Sequence, residues 1–157
     1  MDSNLDQIQL PKLNLPHFEP QLQEKDGRMW IFDSLRKKHL VLTPEEWVRQ
    51  HWINFLINQL KFPKGLLAME KGLLYNKLLK RTDLVVWNKD GNPYLLIECK
   101  APKVKLTQKT IEQACMYHKE LKTPFLLISN GLQHICLSFD FVAEKFTQEK
   151  NFPEPPL

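Results

Sequence analysis

Asp83, Glu98 and Lys100 are the residues of this chain whose types and spacing best suit chemistry. They lie in the stretch RTDLVVWNKDGNPYLLIECKAP, residues 81–102. Two apolar runs, LVVW and YLLI, flank a turn-rich connection from Asn88 to Pro93, which reads as a hairpin between buried strands. Asp83 opens the first run, and Glu98 and Lys100 close the second. Residues i and i+2 of a strand share a face, so Glu98 and Lys100 project together beside Tyr94 and Leu96, with Ile97 and Cys99 on the other side. A hairpin brings the start of one strand to the end of its partner. All three charged groups then meet at one sheet edge.

Two adjacent carboxylates repel and raise each other's pKa unless a cation lies between them. A hard divalent ion such as Mg²⁺ relieves that repulsion, binding through one or two carboxylates while keeping waters for a substrate phosphate. Such an ion polarises a phosphoryl oxygen and acidifies a bound water, and a neighbouring lysine can orient that water or offset developing charge. The trio suits hydrolysis of a phosphodiester. The alternative for ExK alone is a pair of solvated charges at an exposed strand end.

The elements that must position these residues follow from local signals. Thr43-Pro44-Glu45-Glu46 is a helix start, with a threonine cap, proline at the first position and glutamate three residues after the cap. Val48, Trp52, Phe55, Leu56 and Leu60 carry that helix to about Leu60, where Pro63 and Gly65 stop it. Residues 29–42 suggest a strand, a basic turn and a second strand. Strands are expected at LLAMEKGLLY, DLVVW and YLLIECK, then a helix from about Thr107 to Leu121 with Ile111, Ala114, Cys115 and Leu121 on its apolar face. PFLLIS and LQHICLSFDF flank Asn130-Gly131, a hairpin-turn signal. The fold class is α/β, with helices covering a central sheet. Residues 1–28 read as an extended arm docking through Leu13, Leu15 and Phe18, residues 29–150 as one domain, and residues 151–157 as a frayed tail. His118 and His134 sit among apolar residues and are expected to pack or hydrogen-bond locally.

Composition narrows the class. With 43% apolar and 25% charged residues among 157, the chain is ordinary globular material rather than disordered or fibrous. A formal charge of +4 is compatible with nucleic acid without specifying it. Three cysteines without a CxxC pair argue against a disulfide scaffold and a cysteine zinc site. The N-terminal residues lack a signal-peptide pattern, and no apolar run approaches the ~20 residues that span a bilayer, so a cytoplasmic setting without membrane is expected.

The same residues carry a resemblance. Asp83, fourteen intervening residues, then Glu98-Cys99-Lys100 resemble the D…ExK signature of the PD-(D/E)XK nuclease superfamily. The run LLIECKAP is most similar to the N-terminal nuclease domain of type I restriction enzyme R subunits, over about residues 43–140. TPEEWVRQ resembles the acidic first helix of these domains, and Gln113 and Tyr117 in QACMY resemble their QxxxY motif. Ser129-Asn130-Gly131 falls where a similar turn is common. Thr82 stands where the superfamily's nominal proline would be, and no GxxxxGK[ST] phosphate loop occurs in the sequence.

The resemblance implies a restriction-endonuclease-like core with a central mixed sheet flanked by helices. It implies a Mg²⁺-dependent endodeoxyribonuclease, with Mn²⁺ able to substitute, acting on DNA in restriction, defence or DNA processing. Asp83, Glu98 and the Cys99 backbone carbonyl would hold the metal, Lys100 would assist the attacking water, and a helix glutamate would complete the site. Glu45 is the favoured glutamate because it lies on the stripe of Val48, Trp52, Phe55 and Leu56, whereas Glu46 has a capping role available. Gln113, Tyr117 and Arg81 are candidates for supporting the site or contacting DNA. Other restriction-system subunits or a separate motor protein are the implied partners. The alternative is a non-catalytic module that keeps the fold to bind nucleic acid or a partner.

Overall fold

The computed structural model describes residues 10–67 and 83–156. Arg81 and most of the strand expected at LLAMEKGLLY lie outside the described residues. The first residues of that stretch, Leu66 and Leu67, close a short helical turn rather than opening a strand.

A three-stranded antiparallel meander comes first: β1 (Leu22–Lys25), β2 (Arg28–Asp33) and β3 (Lys38–Val41). Asp26 and Gly27 both have positive φ and make the tight β1–β2 turn that an Asp-Gly pair favours. The β2 and β3 strands match the expected strand, basic turn and strand. β1 lies inside the segment read as an extended arm. Its four residues are all exposed, so no apolar alternation announces it.

Helix α1 (Pro44–Asn54) starts as its sequence dictates: Thr43 caps it, accepting a hydrogen bond from the Glu46 amide at 3.0 Å. A π-helical turn at Phe55–Gln59 extends it before Leu60 and Pro63. After a short turn, α2 (Lys64–Leu67), and the segment beyond it, come β4 (Leu84–Trp87) and β5 (Pro93–Cys99). Helix α3 (Gln108–Leu121) then crosses to β6 (Phe125–Ser129), and β7 (His134–Asp140) and β8 (Lys145–Glu149) follow. The resulting sheet has the order β4-β5-β6-β7-β8, with β5 and β6 parallel and every other pair antiparallel. α3 is the helical connection that a parallel pair requires.

Alternation along the strands gives this sheet two apolar faces. Leu84, Val86, Leu95, Ile97 and Leu127 pack against Val48, Trp52, Ile53 and Leu56 of the first helix. Val85, Trp87, Leu96, Leu126 and Ile128 pack against Ala114 and Leu121 of α3. Trp47 of α1 reaches the small sheet, packing on Met29, Ile31 and Leu42. The helix is therefore enclosed between two sheets. That placement buries its polar side as well as its apolar one.

The arm docks as expected. Leu13 is buried, the Asn14 amide donates to the Gly131 carbonyl at 2.8 Å, and Phe18 meets the His51 ring edge-on. The expected frayed tail is instead seated. Phe152 stacks on Trp52 with ring centroids 5.6 Å apart, and Tyr94 Oη donates to the Glu154 carbonyl at 2.6 Å. Apolar contact from Phe152 and a buried Pro156 hold a segment that composition alone marked as loose. Among the described residues no helix is long and apolar enough to cross a membrane.

Candidate active site

The hairpin register places the acidic pair. Leu84 lies opposite Ile97, so continuing the antiparallel ladder by one residue sets Asp83 across from Glu98. Residues directly opposite share a face, here the α3 face to which Leu96 belongs. Tyr117 of α3 confirms the direction: its hydroxyl donates to Asp83 Oδ2 at 3.4 Å, a long contact. Both carboxylates are buried, Asp83 at 5% and Glu98 at 3% exposure. Lys100 Nζ lies 3.1 Å from Glu98 Oε1, with solvent reaching the ammonium but scarcely the carboxylate. The Lys100 amide donates to the Ser129 carbonyl at 2.8 Å, which carries the β5–β6 pairing one residue past the strand. Asp83, Glu98 and Lys100 thus meet at one end of β4 and β5, as the spacing predicts. Tyr94 does not share their face: a register irregularity at Val86 and Trp87 turns it to the opposite cluster, against Phe125.

A second charged group lies across β5. Glu46 is 1% exposed, and its Oε1 accepts from Arg49 Nη1 at 2.8 Å and from Gln50 Nε2 at 2.9 Å. The same Arg49 nitrogen donates to Asp33 Oδ2 at 2.5 Å, and Asp33 Oδ1 accepts from the Leu35 and Arg36 amides at 2.7 and 3.0 Å. Burial pushes the Asp33 carboxyl up, but the Arg49 charge and these hydrogen bonds outweigh it and hold it below the usual carboxylate range. Burial likewise works against the Arg49 charge, and Glu46 and Asp33 more than restore it.

Cys99 is where the two groups approach. Its side chain is buried with Ile97 and Leu84, and burial drives the thiol far above its ordinary range. Arg49 opposes that shift, while Asp83, Glu46 and Glu98 add to it, so all four charges act at this one residue. The thiol stays protonated, leaving the backbone carbonyl as the donor Cys99 can offer a metal.

The remaining predicted residues fall less centrally. Glu45 is only half-buried and Glu46 is the enclosed one, which reverses the expected orientation of the helix glutamates. The reason is the small sheet, whose Asp33 recruits Arg49 and draws Glu46 inward. The same turn of Glu46 leaves only half of a capping box at Thr43. Gln113 is exposed, while Tyr117 on the same helix is half-buried against Asp83. His118 and His134 make the local hydrogen bonds expected of them, to Thr123 and to Ser129, and His134 also bonds the Asn14 carbonyl of the distant N-terminal arm. Asp33, Arg49 and Gln50 escaped the sequence reading. Arg49 and Gln50 fall three and four residues after Glu46, the helical spacing for contact, and that was the available signal.

Among the described residues no group of three or more histidine, cysteine, aspartate or glutamate side chains gathers as a metal shell. The Asp83–Glu98 pair instead offers hard oxygen donors from two carboxylates, which suits Mg²⁺, an ion that keeps several waters.

Fold and site together define a mixed α/β domain with a buried acidic pair and a lysine at a strand end. The family described as type I restriction enzyme R protein N terminus matches residues 44–153, from the first residue of α1 to beyond β8. The chain belongs to that family. No curated protein and no solved structure matches it.

Proposed function

We propose that this chain is a Mg²⁺-dependent deoxyribonuclease domain of the PD-(D/E)XK kind, serving a restriction system. The observation that carries the reading is Asp83 set opposite Glu98 with Lys100 Nζ 3.1 Å from the glutamate, in a chain of a restriction-enzyme family. Asp83, Glu98 and the Cys99 carbonyl would hold the ion, with Mn²⁺ able to replace it. The chemistry such an ion supplies is polarisation of a phosphoryl oxygen and acidification of a bound water.

The chain's own residues do the rest. The Lys100 ammonium, reached by solvent, orients the water that attacks phosphorus and offsets charge developing on the phosphate. Tyr117 restrains the Asp83 carboxylate through its hydroxyl. The buried Arg49 ion-pairs with both Asp33 and Glu46, so these two carboxylates share one buried cation away from the β4–β5 end. DNA is the proposed substrate, and other subunits of the restriction system or a separate motor protein are the proposed partners.

Plasmid and single-stranded DNA incubated with the protein and Mg²⁺ or Mn²⁺ test this reading. Wild type should cut, chelator should stop it, and Asp83→Asn and Lys100→Ala should each lose about 10²-fold or more in rate. Equal cutting by wild type and both variants would mark a contaminant and remove the assignment. DNA binding without cleavage under any divalent ion would replace it with a binding module.

A further inference from the structure

We infer that the β2–β3 turn, residues 34–37, together with Lys38 at the start of β3, is a phosphate-gripping element that serves the candidate site. This rests on DNA being the ligand of that site. Arg36, Lys37, Lys38 and His39 are consecutive and exposed. Lys37 and Lys38 form no ion pair among the described residues, so their charge is available to a ligand.

The turn is held from beneath. The fully buried Asp33 binds the Leu35 and Arg36 amides with one oxygen and Arg49 with the other, and Leu35 packs on the cluster that contains Cys99 and Leu84. Arg49 passes the connection on to Glu46 of α1, the helix that packs on the β4–β5 hairpin. A merely solvated charge run needs no such anchorage. Here Asp33, ion-paired to Arg49 of α1, fixes the backbone of Leu35 and Arg36 immediately before the two lysines. A turn already ordered loses little freedom when it closes on phosphate. Lys37 also holds φ 53°, a left-handed conformation that an asparagine or glycine would adopt more readily.

The test measures binding, apart from cleavage. A fluorescein-labelled DNA duplex is titrated with the full chain in EDTA at several KCl concentrations, and anisotropy gives the affinity. Each phosphate contact contributes about 0.9 to the slope of log affinity against log salt. Lys37→Asn/Lys38→Gln should flatten the slope by about 1.8, so that wild type loses about tenfold more affinity than the variant across a fourfold rise in salt. Lys37→Glu/Lys38→Glu should weaken binding further. The matched control is Lys119→Gln/Lys122→Asn, which removes two lysines at the end of α3 and also replaces one at positive φ. It should leave the slope unchanged. Thermal melts establish that each variant folds. An unchanged slope in the turn variant, an equal loss in the control, or no DNA binding by wild type overturns the inference. Wild type that cuts DNA while the turn variant keeps its slope overturns the grip alone. Wild type that binds through the turn but never cuts overturns only the nuclease reading.

Discussion

A carboxylate that is 1% exposed must have a cation or several donors, and Glu46 has both in Arg49 and Gln50. Glu45, one residue earlier, keeps solvent and makes no such contact among the described residues. The two glutamates should therefore separate cleanly in stability. Glu46→Gln leaves Arg49 paired with Asp33 and is expected to cost about 2 kcal/mol, the scale of a lost hydrogen bond between charged groups. Glu45→Gln should stay within about 0.5 kcal/mol of wild type. Urea unfolding midpoints decide the matter, and a larger loss at Glu45 would contradict this account of the helix. Tyr117 is a subtler case, because a 3.4 Å contact to Asp83 is weak. Tyr117→Phe should alter stability by about 1 kcal/mol or less. In the cleavage assay it should slow the reaction by about tenfold, well short of the loss at Asp83, since it positions a carboxylate rather than being one. A Tyr117→Phe enzyme as slow as Asp83→Asn would give the hydroxyl a direct role.

At the scale of elements, what could be read in advance depended on how local the determinants are. The start of α1 was legible because Thr43 and Pro44 act within one turn, and α3 because Ile111, Ala114, Cys115 and Leu121 repeat at helical spacing. β4 through β7 were legible from apolar runs and turn residues. β8 and β1 were not, because edge strands with mostly exposed residues need no alternation. The acidic pair could be found because one hairpin brings it together. The Asp33–Arg49–Glu46 group could not, since it joins residues of separate elements only after α1 is enclosed between two sheets. The α3 ends offer opposite predictions. Thr107→Ala should lose about 1 kcal/mol by uncapping the helix, whereas Lys122→Gly should gain up to about 1 kcal/mol by relieving a left-handed lysine, φ 50°. Gly131 should tolerate nothing larger. Its φ is 85°, and a Cβ there would lie 2.8 Å from a Leu13 methyl, so Gly131→Ala is expected to loosen the docked arm and cost about 1–3 kcal/mol. Protease digestion reads that as faster cleavage near the N-terminus, and an unchanged digest would mean that the arm yields at no cost.

For the whole molecule, buried titratable groups set how stability depends on pH. His118 is fully buried against Phe139 and Phe146, and its Nε2 donates to the Thr123 carbonyl. Burial lowers its pKa below the ordinary histidine value, opposed by that backbone bond, and burial does the same at His51. A depressed histidine binds its proton more readily in the unfolded chain. Its contribution is complete above about pH 6.5, the unfolded value, and is lost as pH falls toward the folded pKa. Asp33 is also depressed, so its contribution is complete above about pH 4 and is lost as pH falls through its folded value. The signs agree, and both groups destabilise the fold on acidification, in separate windows. Urea unfolding from about pH 8 to pH 3 should show a decline beginning near pH 6.5 and a second, steeper one below about pH 4. His118→Gln, which keeps a donor for Thr123, should shrink the first decline and leave the second. Asp33→Asn should lower stability at neutral pH and flatten the second decline, since the carboxylate that Arg49 holds is gone. Curves that shift in parallel, with neither window altered, would show that the acid sensitivity comes from the exposed charges and not from these two buried groups.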